Sequence, residues 1–323
     1  MLIAGWVLCT SAFHQSAIPP IFFGRNDSVY LFSQGKESLV VKHATAPAPS
    51  PDGKQLAFLR EGNLYLWDLA KGTTKRCSEL TERATDLPSH DVTPSWDDKS
   101  RFVLFSHADR YSVTRRGIDV KPMFGEEKSS RSIWNVYWYW LSKPPTKSGL
   151  SLFLGNSTSG SSSFSLASSL AAAFSPDGRR VAFCRNGDLW MASLEPSSIH
   201  GGIKEASWDE ARVLASGTLE GGTRATNETS MIFRISWSPD GKLLALSSDR
   251  YGASGSSEVM ILKTDHLSEK AASFSGSDAS FIDGDRVVYT KASSRGQDVW
   301  VRSLDSGEEK LLISHASDPA VAK

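Results

Sequence analysis

Several functional classes are excluded by what the chain has little of. Its 323 residues contain three cysteines, Cys9, Cys77 and Cys184. Three thiols with no CxxC pair cannot build a disulfide framework, and they point away from zinc or dithiol redox chemistry. Cys184, inside the apolar run Val181-Ala182-Phe183-Cys184, reads as a small buried hydrophobe. There is no surplus of either charge: Lys+Arg and Asp+Glu are both 36, for a formal net charge of zero. A nucleic-acid or anionic-membrane partner normally needs a basic surplus, so neither is expected. No apolar run reaches 18 residues, so no transmembrane helix is expected. Amphipathic helical periodicity of useful length is nearly absent as well.

Catalytic signatures are equally scarce. There is no P-loop, no GxGxxG and no HExxH. The seven histidines (His14, His43, His90, His107, His200, His266 and His315) form no close pair at metal-ligand spacing. The nearest strings to a nucleophile elbow are Gly155-Asn156-Ser157-Thr158-Ser159 and Gly252-Ala253-Ser254-Gly255-Ser256. Both lack the closing glycine of G-x-S-x-G, and no α/β pattern surrounds them. No catalytic residue, cofactor or metal site is expected. Sequons at Asn26, Asn156 and Asn227 are read as chance in so serine-rich a chain.

What the chain does have is an internal repeat. Ser50-Pro51-Asp52-Gly53, Ser175-Pro176-Asp177-Gly178 and Ser238-Pro239-Asp240-Gly241 are identical, each followed by Lys or Arg. Ser95-Trp96-Asp97-Asp98-Lys99 and Phe281-Ile282-Asp283-Gly284-Asp285 follow the same grammar in degraded form. Proline presets the second position of a tight turn, Asp suits the third, and Gly closes it, so each copy predicts a hairpin. A short β run follows every copy, as in Leu56-Ala57-Phe58-Leu59 and Leu243-Leu244-Ala245-Leu246. A second run with an aromatic centre comes next, as in Leu64-Tyr65-Leu66-Trp67, Asp188-Leu189-Trp190-Met191 and Asp298-Val299-Trp300-Val301. Four short antiparallel strands in a unit of roughly 40 residues are the signature of a propeller blade.

These motifs resemble the TolB-like, WD-repeat-like blades with SPDG turns, and the propeller domains of dipeptidyl-peptidase and tricorn-type proteases. The resemblance spans about residues 21–322. It implies an all-β, six-bladed β-propeller, with seven blades as the alternative. Residues 21–323 are expected to form one propeller domain. Its first blade would combine Ile21-Phe22-Phe23, Val29-Tyr30-Leu31-Phe32 and Leu39-Val40-Val41 with the C-terminal Ser317–Val321 run, leaving no open edge. Residues 1–20 read as a signal remnant or an N-terminal extension: Met1–Cys9 is apolar and Thr10-Ser11-Ala12 is small, but no positive n-region precedes them. An extracytoplasmic location, periplasmic or secreted, is therefore favoured over a cytoplasmic one.

The resemblance marks a scaffold and no activity. It implies a non-enzymatic interaction scaffold that binds a protein through one loop face and the channel mouth. The alternatives are an enzyme or carbohydrate-binding propeller using that mouth, or a regulatory propeller without its peptidase domain. TolB-type proteins carry an α/β domain before the propeller, for which this chain has no room, so their envelope-complex role is not carried over. The richest candidate surface is the insertion Ala108–Arg131, with Arg110, Tyr111, Arg115, Arg116, Lys121 and Phe124, joined by Arg250 and Tyr251 from the equivalent loop of another blade. Arginine and aromatic side chains carry interface energy, and loops on rigid scaffolds carry binding. His90, Asp91, His107, Asp278, His315 and Asp318 are the candidates for the channel mouth.

Overall fold

The computed structural model describes residues 18–77, 93–100, 102–111, 131–140, 150–152, 169–185, 188–193, 214–215, 230–250, 257–267 and 269–322. Every regular element among them is a strand. In chain order they are β1 (Ile21–Gly24), β2 (Ser28–Ser33), β3 (Lys36–Lys42), β4 (Thr45–Pro49), β5 (Gln55–Arg60), β6 (Asn63–Asp68), β7 (Thr73–Arg76) and β8 (Ser95–Trp96). They continue with β9 (Phe102–Tyr111), β10 (Arg131–Trp140), β11 (Leu150–Leu152), β12 (Ser169–Phe174), β13 (Arg180–Arg185), β14 (Asp188–Ser193), β15 (Leu214–Ala215) and β16 (Ser230–Trp237). The last eight are β17 (Leu243–Arg250), β18 (Ser257–Lys263), β19 (Lys270–Ser275), β20 (Ser277–Phe281), β21 (Arg286–Ser293), β22 (Gly296–Ser303), β23 (Glu309–Ile313) and β24 (Ser317–Val321).

They pair as six four-stranded antiparallel sheets. Five are consecutive meanders: β4–β7, β8–β11, β12–β15, β16–β19 and β20–β23. The sixth has the order β24-β1-β2-β3, with Ile21 opposite Val321 and Phe22 opposite Ala320. The inner strands β24, β4, β8, β12, β16 and β20 touch one another in that order, and β20 touches β24 again. The arrangement is therefore a propeller-like ring.

The core lies between successive sheets. Strand β5 shows how: Leu56 and Phe58 pack with Phe22, Val29 and Val41 of the preceding sheet and with Ala44 of the connection to β4. Its alternate residues Ala57 and Leu59 pack with Trp96, Val103 and Phe105 of the following one. A strand covered on both faces must be apolar at consecutive positions, which explains unbroken runs such as Leu56–Leu59. Two tryptophans add polar stitches between neighbouring inner strands. Trp96 Nε1 donates to Ala48 O at 2.8 Å, and Trp237 Nε1 donates to Ala173 O at 3.1 Å.

The SPDG turns satisfy themselves. Ser50 Oγ donates to Asp52 Oδ1 at 2.7 Å and accepts from the backbone N of Gln55 at 2.9 Å. Asp52 Oδ1 also accepts from the N of Lys54, and Gly53 N donates to Ser50 O. Gly53, Gly178 and Gly241 have φ of 67°, 65° and 71°, the left-handed conformation that only glycine adopts without strain. The copies around Ser175 and Ser238 repeat these bonds.

Two sequence boundaries are corrected. The turn read as Ser95–Lys99 is Asp97–Ser100, with Ser100 N donating to Asp97 O and Ser100 at φ 57°, because Trp96 remains in β8 to reach Ala48. The insertion read as Ala108–Arg131 is shorter at both ends. Ala108–Tyr111 extends β9, and Arg131 opens β10, with Tyr111 opposite Arg131 and Arg110 opposite Ser132. Strand pairing takes up these positions because two long runs can satisfy each other's backbone groups.

Candidate functional site

In an antiparallel meander numbered outward from the channel, the connection from second to third strand and the one to the next sheet leave from the same end. That end, the loop face here, carries the connections 77–94, 112–130, 153–168, 216–229 and 251–256. The SPDG turns lie at the other end, as do the connections 141–149 and 194–213.

A repeated device braces the loop face. Phe23 and Tyr30 are cross-strand partners with rings stacked 5.6 Å apart, and Arg25 lies over both, at 5.0 and 5.5 Å. Phe58, Tyr65 and Arg60 repeat this, with rings 5.6 Å apart and the guanidinium 5.5 and 4.9 Å away. Both guanidiniums then fork onto the preceding connection. Arg25 donates to Ser314 O and His315 O at 2.7 and 2.9 Å, and Arg60 donates to Lys42 O and His43 O at 2.9 and 2.7 Å. The planar fork and delocalised charge of arginine suit both tasks. Tyr289 opposite Trp300 is a variant in which Lys291 Nζ lies 5.0 Å from the Trp300 ring and pairs with Glu309 at 2.6 Å.

The braced histidines are themselves exposed and equivalent. His43 and His315 take left-handed φ of 51° and 53°, each just before a buried alanine, Ala44 or Ala316. His43 Nδ1 shares a 2.7 Å hydrogen bond with Asp27 Oδ2, and the backbone N of His315 donates to Asp298 Oδ1 at 2.8 Å. That bond is the main reason the Asp298 carboxyl is held below its ordinary value, against a small upward push from burial.

Two of the candidate channel-mouth residues, Asp278 and Asp318, fall in one layer of the inner strands. Counting back three residues from the last residue of each inner strand gives Ala46, Thr93, Ala171, Arg234, Asp278 and Asp318. Five of these strands (β4, β12, β16, β20 and β24) carry a register shift close to this layer, and Ala46, Asp278 and Asp318 have φ of 50°, 53° and 50°. Asp tolerates this conformation better than most residues, whereas Ala46 pays a steric penalty for it. Ser277 Oγ and Ser317 Oγ donate to the neighbouring Asp278 and Asp318 Oδ2 at 2.7 and 3.3 Å. Arg234 is 5% exposed, and its Nη2 donates to Pro319 O at 2.7 Å, reaching from β16 past β20 to β24. Its Nη1 has no hydrogen-bond partner. Burial pushes the guanidinium below its ordinary pKa, while Asp278 and then Asp318 pull it back up.

Of the residues singled out from the sequence, His90, Asp91, Arg115, Arg116, Lys121, Phe124 and Tyr251 lie outside the described residues. So do the two serine strings examined for a nucleophile. His107, Arg110, Tyr111 and Arg250 lie at the loop-face ends of β9 and β17, within the strands. His315 is on the loop face, while Asp278 and Asp318 share one layer of the inner strands. Arg234, Arg25 and Arg60 were not singled out. The signals available were an arginine inside an apolar inner strand, and a shared Phe-x-Arg string with a tyrosine seven residues after the phenylalanine. Among the described residues no group of three or more His, Cys, Asp or Glu side chains could hold a metal ion, and no helix is long and apolar enough to cross a membrane.

No family model matches the chain, and no curated protein sequence matches it. Solved structures do. TolB from Acinetobacter baumannii superimposes with a TM-score of 0.57 at 16% identity, over 94% of this chain and 66% of that one. The chain thus spans just under two thirds of that protein. A chain from a nidogen/laminin complex superimposes with a TM-score of 0.56 at 8% identity, over 94% of this chain and 98% of that one. At such identities the likeness concerns the fold, and on that evidence the chain is an all-β propeller of antiparallel sheets similar to that of TolB.

Proposed function

We propose that the six sheets are the six blades of a single propeller, and that it works as a non-enzymatic protein-interaction scaffold. Its loop face and channel mouth present the binding surface. The observation that carries this reading is the asymmetry of the two ends. Three turns on one end are SPDG hairpins that spend their polar groups on themselves, and that end also has the connections 141–149 and 194–213, whereas the other end is braced by Arg25 and Arg60 and has the longer set 77–94, 112–130, 153–168 and 216–229. Long connections on a rigid scaffold are where binding surfaces are built. Residues Arg110, Tyr111, Arg115, Arg116, Phe124, Arg250 and Tyr251 are the proposed contact set, since arginine and aromatic anchors dominate interface energies. That one similar propeller-like chain comes from a protein–protein complex is consistent with this use of the fold. The apolar Met1–Cys9 followed by small residues supports an extracytoplasmic location.

The test is to replace residues 112–130 by a short turn, leaving β9 and β10 intact. The variant should keep its far-UV spectrum and unfolding midpoint but lose the partner recovered by the immobilised wild-type chain from its own source. Recovery of the same partner at equal yield by a folded variant would overturn the assignment to this face.

A further inference from the structure

Leu39 and Leu311 are the large hydrophobic side chains left exposed among the described residues, at 46% and 42%. They hold equivalent positions on adjacent sheets. Leu39 of β3 lies opposite Tyr30, and Leu311 of β23 lies opposite Trp300, each beside a register shift. The position is not obligatorily apolar: β7 places Arg76 opposite Tyr65, and β19 places Ser273 opposite Met260. The backbone at both leucines is open as well. Gln34 and Gly35, with φ of 52° and 74°, form a two-residue type I′ turn, which closes on the hydrogen-bonded pair Ser33 and Lys36. Bonded and unbonded pairs alternate from there, so Glu37 and Leu39 turn their N–H and C=O groups away from β2. In β23 the bond from Ser303 N to Glu308 O sets the same phase, and Glu309 and Leu311 face outward.

Open edges are usually guarded by charge, and the charges here are selective. The acids of the two edges are neutralised from within: Glu37 pairs with Arg25 at 2.5 Å, and Glu309 pairs with Lys291 at 2.6 Å and with Arg302. Lys36 and Lys42 end β3 on either side, both exposed, and among the described residues neither pairs with an acid. A second copy paired antiparallel about Leu39 sets Lys36 against Lys42 at both ends, and like charges facing each other are destabilising. We propose that the outer edge of β3 accepts an extended acidic segment of a partner protein as a fifth strand, with an apolar side chain of that segment against Leu39. The lysines that oppose a second copy attract such a strand. Its backbone satisfies the outward groups of Glu37 and Leu39, and β23 offers a shorter copy of the seat. This edge lies on the flank of the ring and is separate from the loop face.

The probe is a dye-labelled peptide of alternating glutamate and valine, matched to the 7 residues of β3 and followed by fluorescence anisotropy, with the lysine–valine peptide as control. The acidic probe should bind saturably and the basic one should not. An added strand uses every second amide, so methylating the backbone nitrogens in one phase should abolish binding and in the other phase leave it intact. Leu39→Pro with Leu311→Pro removes outward N–H groups alone, which an edge strand tolerates, and should weaken the probe by about tenfold or more. Lys36→Glu with Lys42→Glu should weaken it by about tenfold. Should the proline variant not fold, the methylated probes carry the test on the wild-type chain. No saturable binding, equal binding of the basic peptide, or methylated probes that bind alike would overturn the seat. So would a wild-type chain that sediments as a dimer and turns monomeric on Leu39→Pro, which gives the edge to a second copy. Replacing residues 112–130 should leave probe binding unchanged, so this reading and the loop-face reading fail separately.

Discussion

Replacing Trp237 by phenylalanine should cost about 2–3 kcal/mol, although the ring stays apolar and nearly as large. Trp237 is 8% exposed, and its Nε1 reaches the Ala173 carbonyl on the neighbouring inner strand at 3.1 Å. Phenylalanine leaves that carbonyl unpaired in a buried seam, a loss of about 1–3 kcal/mol. Arg180 lies 4.9 Å from the indole ring, and trading indole for benzene weakens that contact by a few tenths of a kcal/mol or more. Arg180 also approaches Gly241 O at 3.4 Å, so the ring contact is isolated by a double-mutant cycle of Trp237→Phe with Arg180→Met. The coupling should be about 0.5–1 kcal/mol. Urea unfolding followed by far-UV circular dichroism, which the missing tryptophan does not distort, gives both quantities. The midpoint should fall with the slope unchanged. Trp96→Phe, which loses the equivalent bond to Ala48, should fall by a similar amount. A loss below about 0.5 kcal/mol at both positions would refute the idea that these indoles stitch the inner strands together.

Three further outcomes follow from the turns and braces. Gly178→Ala should destabilise more than Gly241→Ala, because both glycines have positive φ but a Cβ at Gly178 would lie 2.5 Å from Asp98 Oδ1, against 3.6 Å to the end of Arg180 at Gly241; paired urea melts decide it. At Asp52 and Asp177 burial raises the carboxyl pKa, but the serine hydroxyl and the following backbone N–H outweigh it; at Asp240 the Ser238 hydroxyl leads, and all three end below their ordinary value. A depressed folded pKa stabilises the protein above the unfolded value near 3.9 and is lost as pH falls through the folded one, so acid unfolding should set in below about pH 4, and Ser238→Ala should move its midpoint upward in a pH titration. Arg60→Lys should lose about 1 kcal/mol or more despite keeping the charge, since lysine cannot fork onto Lys42 O and His43 O, and a melt that equals wild type would contradict the brace.

The propeller-like fold was legible because its signals are local. A Ser-Pro-Asp-Gly string spends its polar groups within itself, so the turn can be read without knowing the neighbouring sheet. The degraded copy at Ser95–Lys99 was misplaced for the opposite reason. Trp96 stays in its strand to satisfy a partner in another sheet, and Ser100 takes the position glycine holds elsewhere. The mouth was legible only in part. Asp278 and Asp318 announce themselves as repeated Ser-Asp pairs at strand starts, whereas Arg234 sits in Met231–Trp237, a run that reads as ordinary apolar strand with one outward arginine. Its burial is a property of the ring, since the carbonyl it reaches lies 85 residues away in sequence. The braces of Arg25 and Arg60 were hidden in the same way, because their acceptors belong to the preceding sheet.

The central claim is that the two ends of the chain meet in one sheet and close the ring. A Cβ placed at Gly24 would lie 3.4 Å from Ser317 Oγ, close to the geometry of a disulfide across β1 and β24. In a background with Cys9, Cys77 and Cys184 replaced by serine, Gly24→Cys with Ser317→Cys should oxidise under mild conditions to an intramolecular disulfide. The oxidised monomer should unfold later than its reduced form, with a chain-entropy limit of about 6 kcal/mol for so long a loop. Two thiols that stay free in the folded protein, or that link only between molecules, would contradict the closed ring.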